Sequence, residues 1–152
     1  MTACALIFSY VEYLVPVNIG VPGIKLGLAN IVIIVALYKM GIKYAFTINL
    51  VRIAISALLF SGVSGLMFGL TGGILSLTAM ALLKKLDLFS VVWVSVFGGI
   101  VHNMGQLLVA ALLLANFAVV YYLPVLLVSG ALTGACIGFL ARILLLALQR
   151  QK

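Results

Sequence analysis

Acidic residues are nearly absent from this sequence, and charge of either sign is scarce. Glu12 and Asp87 are the only acids among 152 residues, and charged residues make up 7% of the chain. An average soluble domain carries about 25% charged residues, so this chain lacks the polar surface that a water-soluble globule needs. The two acids also stand too far apart in sequence to form a DDxxD-type pair that holds magnesium on a diphosphate. We therefore expect no enzymatic activity from this chain alone.

Motifs for other kinds of chemistry are missing as well. The sequence has no GxxxxGK[ST], so it cannot bind ATP through a P-loop. It has no Ser/His/Asp set, and Cys4 and Cys136 lie in apolar runs without CxxC or Cys/His spacing, as free small hydrophobic residues do. We predict no catalytic residue, no metal site and no cofactor.

Apolar residues dominate what is present. The chain is 66% hydrophobic with a mean hydropathy of +1.42, which is typical of an integral membrane protein. Its formal net charge is +7, but the basic residues lie mostly in short connections between apolar runs and do not alternate with aromatics. This pattern predicts a bilayer environment and argues against a nucleic-acid partner.

Breaks at Pro, Gly and charged residues divide the chain into apolar segments without period-2 alternation. We predict an all-α, polytopic membrane protein in which residues 1–152 form one domain, because an open sheet in lipid would leave backbone groups unpaired. The six predicted spans are residues 1–15, 26–40, 43–61, 65–83, 89–115 and 121–148. The first two are short for a complete crossing, which needs about 20 residues.

The basic residues predict the orientation. Seven of them flank the second and fourth connections or the C-terminal end, whereas Lys25 alone lies in the first connection and none lies in the third or fifth. The positive-inside rule then places both termini in the cytoplasm of a multi-pass cell-membrane protein. Lys25 is the exception to that rule, at the outer entrance of the second span, with Asn30 about a turn and a half below it.

The third span carries polar residues at helical spacing. Asn49, Arg52 and Ser56 fall at i, i+3 and i+7, on one face of a helix. Ionisable groups at membrane depth are functional candidates, and a guanidinium suits carboxylate or phosphate. The alternative is a structural charge that pairs with Glu12 or caps helix carbonyls; Glu12 has Lys25 as its other possible partner.

The fifth span contains a second polar group. The segment SVFGGIVHNMGQLLVAA places Ser95, Gly99, His102 and Gln106 along one stripe, with Asn103 beside it. Hydrogen bonds that hold neighbouring helices together are one interpretation, and a polar cavity is the other. The glycines at 65, 69 and 73 and at 130, 134 and 138 predict close helix packing in the fourth and sixth spans.

Three motifs resemble a known family. PGIKLGLANIV at 22–32, VHNMGQL at 101–107 and SGALTGACIGF at 129–139 are similar to the family named both Gx transporter and heptaprenyl diphosphate synthase component I. The short six-span chain also resembles the substrate-binding S component of energy-coupling factor (ECF) importers. That resemblance implies an S-component-like bundle, a T component and two ATPase subunits as partners, and docking of the first helix through small residues, here Ala5 and Ser9.

The two family names give two functional hypotheses. The hypothesis that the sequence favours is an S component that captures a small anionic or amphipathic solute from outside. The alternative is the non-catalytic membrane subunit of heptaprenyl diphosphate synthase, in isoprenoid or menaquinone biosynthesis. A small channel fits less well, since no helix is polar along its whole length. Under the favoured hypothesis residues 16–25 close over a pocket, and the substrate-binding residues are Glu12, Lys25, Asn30, Asn49, Arg52, His102, Asn103 and Gln106.

Overall fold

The described residues form a bundle of six α-helices. The structure is a computed structural model that describes residues 1–14, 27–115 and 117–150. The helices are α1 (Thr2–Leu14), α2 (Leu28–Lys39), α3 (Ile42–Ser56), α4 (Gly62–Leu86), α5 (Val91–Leu114) and α6 (Leu123–Gln149). A π-helical turn, Ala57–Ser61, joins α3 to α4, and a 3₁₀ segment, Phe117–Tyr122, precedes α6. The all-α prediction is confirmed.

Membrane crossing is supported for part of this set. Among the described residues, three helical stretches are long and apolar enough to cross a bilayer: Ile42–Leu86, Val91–Leu114 and Ala118–Gln149. The other two, α1 and α2, have 13 and 12 residues, so they measure about 20 and 18 Å against a hydrocarbon core of about 30 Å. The count of six complete spans is therefore not established, although each predicted span corresponds to one helix.

The first long stretch is a hairpin. Gly62 has φ +65° and ψ −169°, which interrupts the helix directly after the π-helical turn. Beyond it, Gly69 packs on Ile53 and Gly73 packs on Asn49, so residue numbers rise along α4 as they fall along α3. These contacts make α3 and α4 antiparallel neighbours. A glycine is favoured at residue 62 because the left-handed region costs other residues free energy.

The second helix lies at the centre of the bundle. Seven consecutive residues of α2, 31–37, are buried, and the run covers every face of the helix. It packs against α1, α3 and α6, and α3, α4, α5 and α6 contact each other in chain order around it. Large apolar side chains such as Leu58, Leu112 and Leu132 are exposed on the outside, where a bilayer would cover them.

The basic ends of three helices meet at one end of the bundle. Lys84, in the last turn of α4, donates to the Leu37 carbonyl at 2.6 Å, and its ammonium lies 4.9 Å from the centre of the Tyr38 ring. Lys39, at the end of α2, donates to the Leu148 carbonyl of α6 at 3.3 Å. These contacts place three parts of the chain on the same side of the bundle: the connection after α2, the connection after α4 and the C-terminal end. The predicted orientation requires this arrangement.

We expect Lys84→Met to lower the thermal unfolding midpoint in detergent by roughly 2–4 °C, corresponding to about 1 kcal/mol. The substitution removes the charged group that donates a hydrogen bond to the Leu37 carbonyl, near the C-terminal end of α2. Lys85→Met is the matched control, because Lys85 is exposed. Equal midpoints for the two variants would contradict a capping role for Lys84.

Candidate functional site

The amino end of α2 is capped by a carboxylate from α1. The Leu28 N–H donates to Glu12 Oε1 at 2.8 Å. The first N–H groups of a helix have no intrahelical acceptor, and the helix dipole places partial positive charge there. Glu12 therefore satisfies a donor and complements the dipole at the same point.

Glycine at position 27 allows this entry into α2. Gly27 has φ +73°, and a Cβ there would lie 2.8 Å from Ile137 Cδ1 of α6. Since Ile137 is the fifteenth residue of the 27 in α6, the amino end of α2 lies about 20 Å along α6 from its first residue. The capped end thus lies deep within the bundle.

Arg52 joins α3 to this point. Its Nε donates to Asn49 Oδ1 at 3.0 Å, and its Nη2 donates to Asn30 Oδ1 of α2 at 3.2 Å. Through Asn30 the guanidinium reaches the first turn of α2, where Glu12 Oε1 accepts from the Leu28 N–H. The bonds from Arg52 to Asn49 and Asn30 use two of the five N–H donors of an arginine. The predicted residues Glu12, Asn30, Asn49 and Arg52 therefore form one network, which we call the Arg52 network.

The members of the network differ in how far they are buried. Asn49 is 2% exposed, whereas Arg52, Asn30 and Glu12 are partly buried. A Cβ on Gly73 of α4 would lie 2.9 Å from Asn49 Nδ2 and 3.0 Å from Ile53 Cδ1, so the glycine provides the room that Asn49 occupies. The opposite charges of Glu12 and Arg52 reduce the cost of placing ions within an apolar bundle.

Ser56 extends the polar face of α3. It lies one turn beyond Arg52 on the same face and is 8% exposed, and its Oγ has no hydrogen-bond partner among the described residues. Buried hydroxyls are normally satisfied, because leaving one without a partner costs about 1–3 kcal/mol. Ser56 is therefore a buried polar group of α3 that the hydrogen bonds of the Arg52 network do not include.

The polar residues of α5 point in two directions. His102 and Gln106 are 3.1 Å apart between their Nε2 atoms, and the His102 ring packs on Gly72 of α4. Asn103 instead donates to the Leu126 carbonyl at 2.8 Å and to Ser129 Oγ at 3.2 Å, both in α6. Asn103 thus links two helices, as in the packing interpretation of this segment.

Comparison with protein families assigns the chain. The model of the family described as heptaprenyl diphosphate synthase component I matches residues 1–144. The chain belongs to that family. No curated protein and no solved structure gives a significant match, so the likeness of this component I chain to ECF S components stays a prediction.

Two other predicted groups have different outcomes. Ala5 is fully buried and Ser9 is 9% exposed, on an α1 that packs against α2 and α3. In the structure the pair thus lies against the chain's own helices. Docking of a T component through Ala5 and Ser9 stays a prediction. Lys25 and the predicted capping segment 16–25 lie outside the described residues.

The residue types that bind metal ions lie apart from one another in the described part of the chain. Among residues 1–14, 27–115 and 117–150, no group of three or more His, Cys, Asp or Glu side chains comes together. Sequence reasoning did not identify the structural role of Gly27 at this site. The sequence feature that could have indicated this role is the run Gly-Leu-Ala-Asn at 27–30. It places a glycine three residues before the polar Asn30, at the start of an apolar segment.

Proposed function

We propose that this chain is the membrane-embedded, non-catalytic component of a heptaprenyl diphosphate synthase, and that it binds an anionic, prenyl-bearing molecule for a catalytic partner chain. The Arg52 network carries the geometric part of the proposal. It supplies a guanidinium inside an apolar bundle, which suits a ligand with an anionic head and a hydrocarbon tail. The family membership supplies the reaction to which such a ligand belongs.

The chemistry would belong to the partner. Prenyl transfer needs carboxylates that hold magnesium on a diphosphate, and this sequence has two acids. Glu12 caps α2, and Asp87 follows α4 in a left-handed conformation. We accordingly propose that the component binds and orients its ligand while bond formation takes place on the other chain.

We further propose that all six helices are embedded in the cell membrane with both termini in the cytoplasm. The exposed leucines on the outside of the bundle and the clustered basic ends of α2, α4 and α6 support this arrangement. A cysteine introduced at Lys85 should resist a membrane-impermeant label in intact cells and react after permeabilisation. Labelling of residue 85 from outside would overturn this orientation.

Product chain length tests the proposed function. The catalytic prenyl transferase of the same organism is assayed with radiolabelled isopentenyl diphosphate, with and without this chain in proteoliposomes. We expect the long product to depend on this chain and to be lost with the Arg52→Ala variant. Arg142→Ala is the control, because Arg142 is exposed on α6. An unchanged product distribution without the chain would overturn the proposal.

Solute capture is the second candidate function. The observation that favours it is the same guanidinium, because an importer subunit also needs a polar site within an apolar bundle. Under this hypothesis the Arg52 network binds a small anionic solute, and a T component with two ATPases transports it. Uptake that requires those three chains, together with unchanged prenyl products, would favour this function over the first.

A further inference from the structure

The Glu12 carboxylate in the Arg52 network is the same kind of group as the oxyanion of an incoming ligand. Its Oε1 accepts from the Leu28 N–H at 2.8 Å. Arg52 reaches the same first turn of α2, where its Nη2 donates to Asn30 Oδ1 at 3.2 Å. A backbone N–H at a helix start and a guanidinium are a pair of donors that carboxylates and phosphates both bind. The chain's own carboxylate thus occupies positions that suit the oxyanion of a ligand.

The rest of the network fixes the donors. Asn49 and Asn30 hold Arg52 from two helices with their amide oxygens, at 3.0 and 3.2 Å. Asn49 is confined in turn by Gly73. Ser56 Oγ, one turn further along α3, is buried without a partner among the described residues. Donors held in place before binding lose little conformational entropy when an anion arrives.

Glu12 differs from the other members in its attachment. It lies near the end of α1, which ends at Leu14, whereas Arg52 and Asn49 lie within α3 and Asn30 lies in α2. Its carboxylate can leave the Leu28 N–H without a change in α2 or α3, since it is held on a separate helix.

We propose that Glu12 is an internal competitor for an oxyanion site formed by the Leu28 N–H and the Arg52 guanidinium, and that a carboxylate or phosphate group of a ligand binds there by displacing it. Displacement releases the contact between the end of α1 and the start of α2. Glu12 is then not a ligand-binding residue, and its removal increases the affinity for anions. The inference rests on the proposed function for the biological ligand, but the site itself requires only an oxyanion.

Chemical rescue of a Glu12 variant tests this site. Purified Glu12→Ala protein is heated in chloride, acetate, inorganic phosphate or pyrophosphate at equal ionic strength and pH. We expect the unfolding midpoint of this variant to be about 3–5 °C higher in acetate or a phosphate than in chloride. This value applies to an anion concentration near ten times the Kd of that anion for the variant. The wild type should respond less, because its anion must displace Glu12. A stronger response to acetate indicates a carboxylate ligand, and a stronger response to the phosphates indicates a phosphate ester.

Three further variants complete the experiment. Glu12→Gln keeps the shape of the side chain and serves if Glu12→Ala does not fold; it should also respond more than the wild type. Glu12→Ala combined with Arg52→Ala should lose the response. Asp87→Asn, which removes the other acid, should respond as the wild type does. The inference would be overturned if the unfolding midpoints of Glu12→Ala and Glu12→Gln were the same in acetate and phosphate as in chloride.

The outcome is separable from that of the proposed function. Rescue by an oxyanion, together with prenyl products that do not depend on this chain, would retain the Glu12 site and overturn the synthase role. Dependence of the products on this chain without oxyanion rescue would retain the synthase role and overturn the competition by Glu12.

Discussion

Gly134→Val should lower the thermal unfolding midpoint of this protein by roughly 6–12 °C, or prevent recovery of folded protein from the membrane. A Cβ at residue 134 would lie 2.6 Å from the Ser95 carbonyl oxygen and 2.8 Å from Val96 Cα in α5. Both contacts are with backbone, which cannot rotate away as a side chain can. The two helices must separate, at a cost of about 3 kcal/mol or more.

The neighbouring glycines make local relief difficult. A Cβ at Gly130 would lie 2.8 Å from the Gly99 carbonyl oxygen, and one at Gly138 would lie 2.8 Å from Val92 Cα. The same close approach therefore continues for about one turn of α6 on each side of Gly134. Cys136→Val is the matched control, since it adds a β-branched residue to the same helix at an exposed position. Equal midpoints for Gly134→Val and Cys136→Val would show that α5 and α6 are not packed through glycine.

The second large effect is expected at Arg52. Arg52→Ala should weaken the binding of farnesyl diphosphate, used as a probe with an anionic head and a prenyl tail, by roughly 100-fold. The variant removes the only guanidinium of the Arg52 network, and the Leu28 N–H alone is a weak anion site. The protein should remain folded, because the buried apolar residues around α2 form most of the core.

Binding can be measured by titration in detergent, and circular dichroism confirms the helical content of each variant. Arg142→Ala is the control, because it removes a charge from an exposed position on α6. Arg52→Lys should recover only part of the affinity, since an ammonium lacks the planar arrangement of donors. Farnesyl diphosphate binding that survives Arg52→Ala unchanged would reduce Arg52 to a structural charge.

Sequence alone predicts the helices and the polar face of α3. The Asn49, Arg52 and Ser56 spacing requires only the period of a helix, and the structure places these residues on one side of α3. Sequence left open the partner of Arg52, because Asn30 is 22 residues away and reaches it only through the packing of α2 on α3. The glycine repeats predicted close packing but did not say which helix each would meet.

Sequence could not say which helix each polar residue of α5 would meet. His102 and Asn103 are adjacent in sequence, but successive helical residues are rotated by about 100°. The structure accordingly directs His102 to α4 and Asn103 to α6. The helices that cover Ala5 and Ser9 were likewise unknown from sequence, because the packing of α1 on α2 and α3 depends on the fold.

Native mass spectrometry of the protein released from its own membrane measures most directly whether the Arg52 network binds an anionic ligand. We expect the wild type and Arg142→Ala to retain a molecule that bears a carboxylate or phosphate, and Arg52→Ala to have lost it. The retained mass would also distinguish a prenyl diphosphate from a small solute. Recovery of the same molecule, in the same proportion, from Arg52→Ala would contradict a binding role for this network.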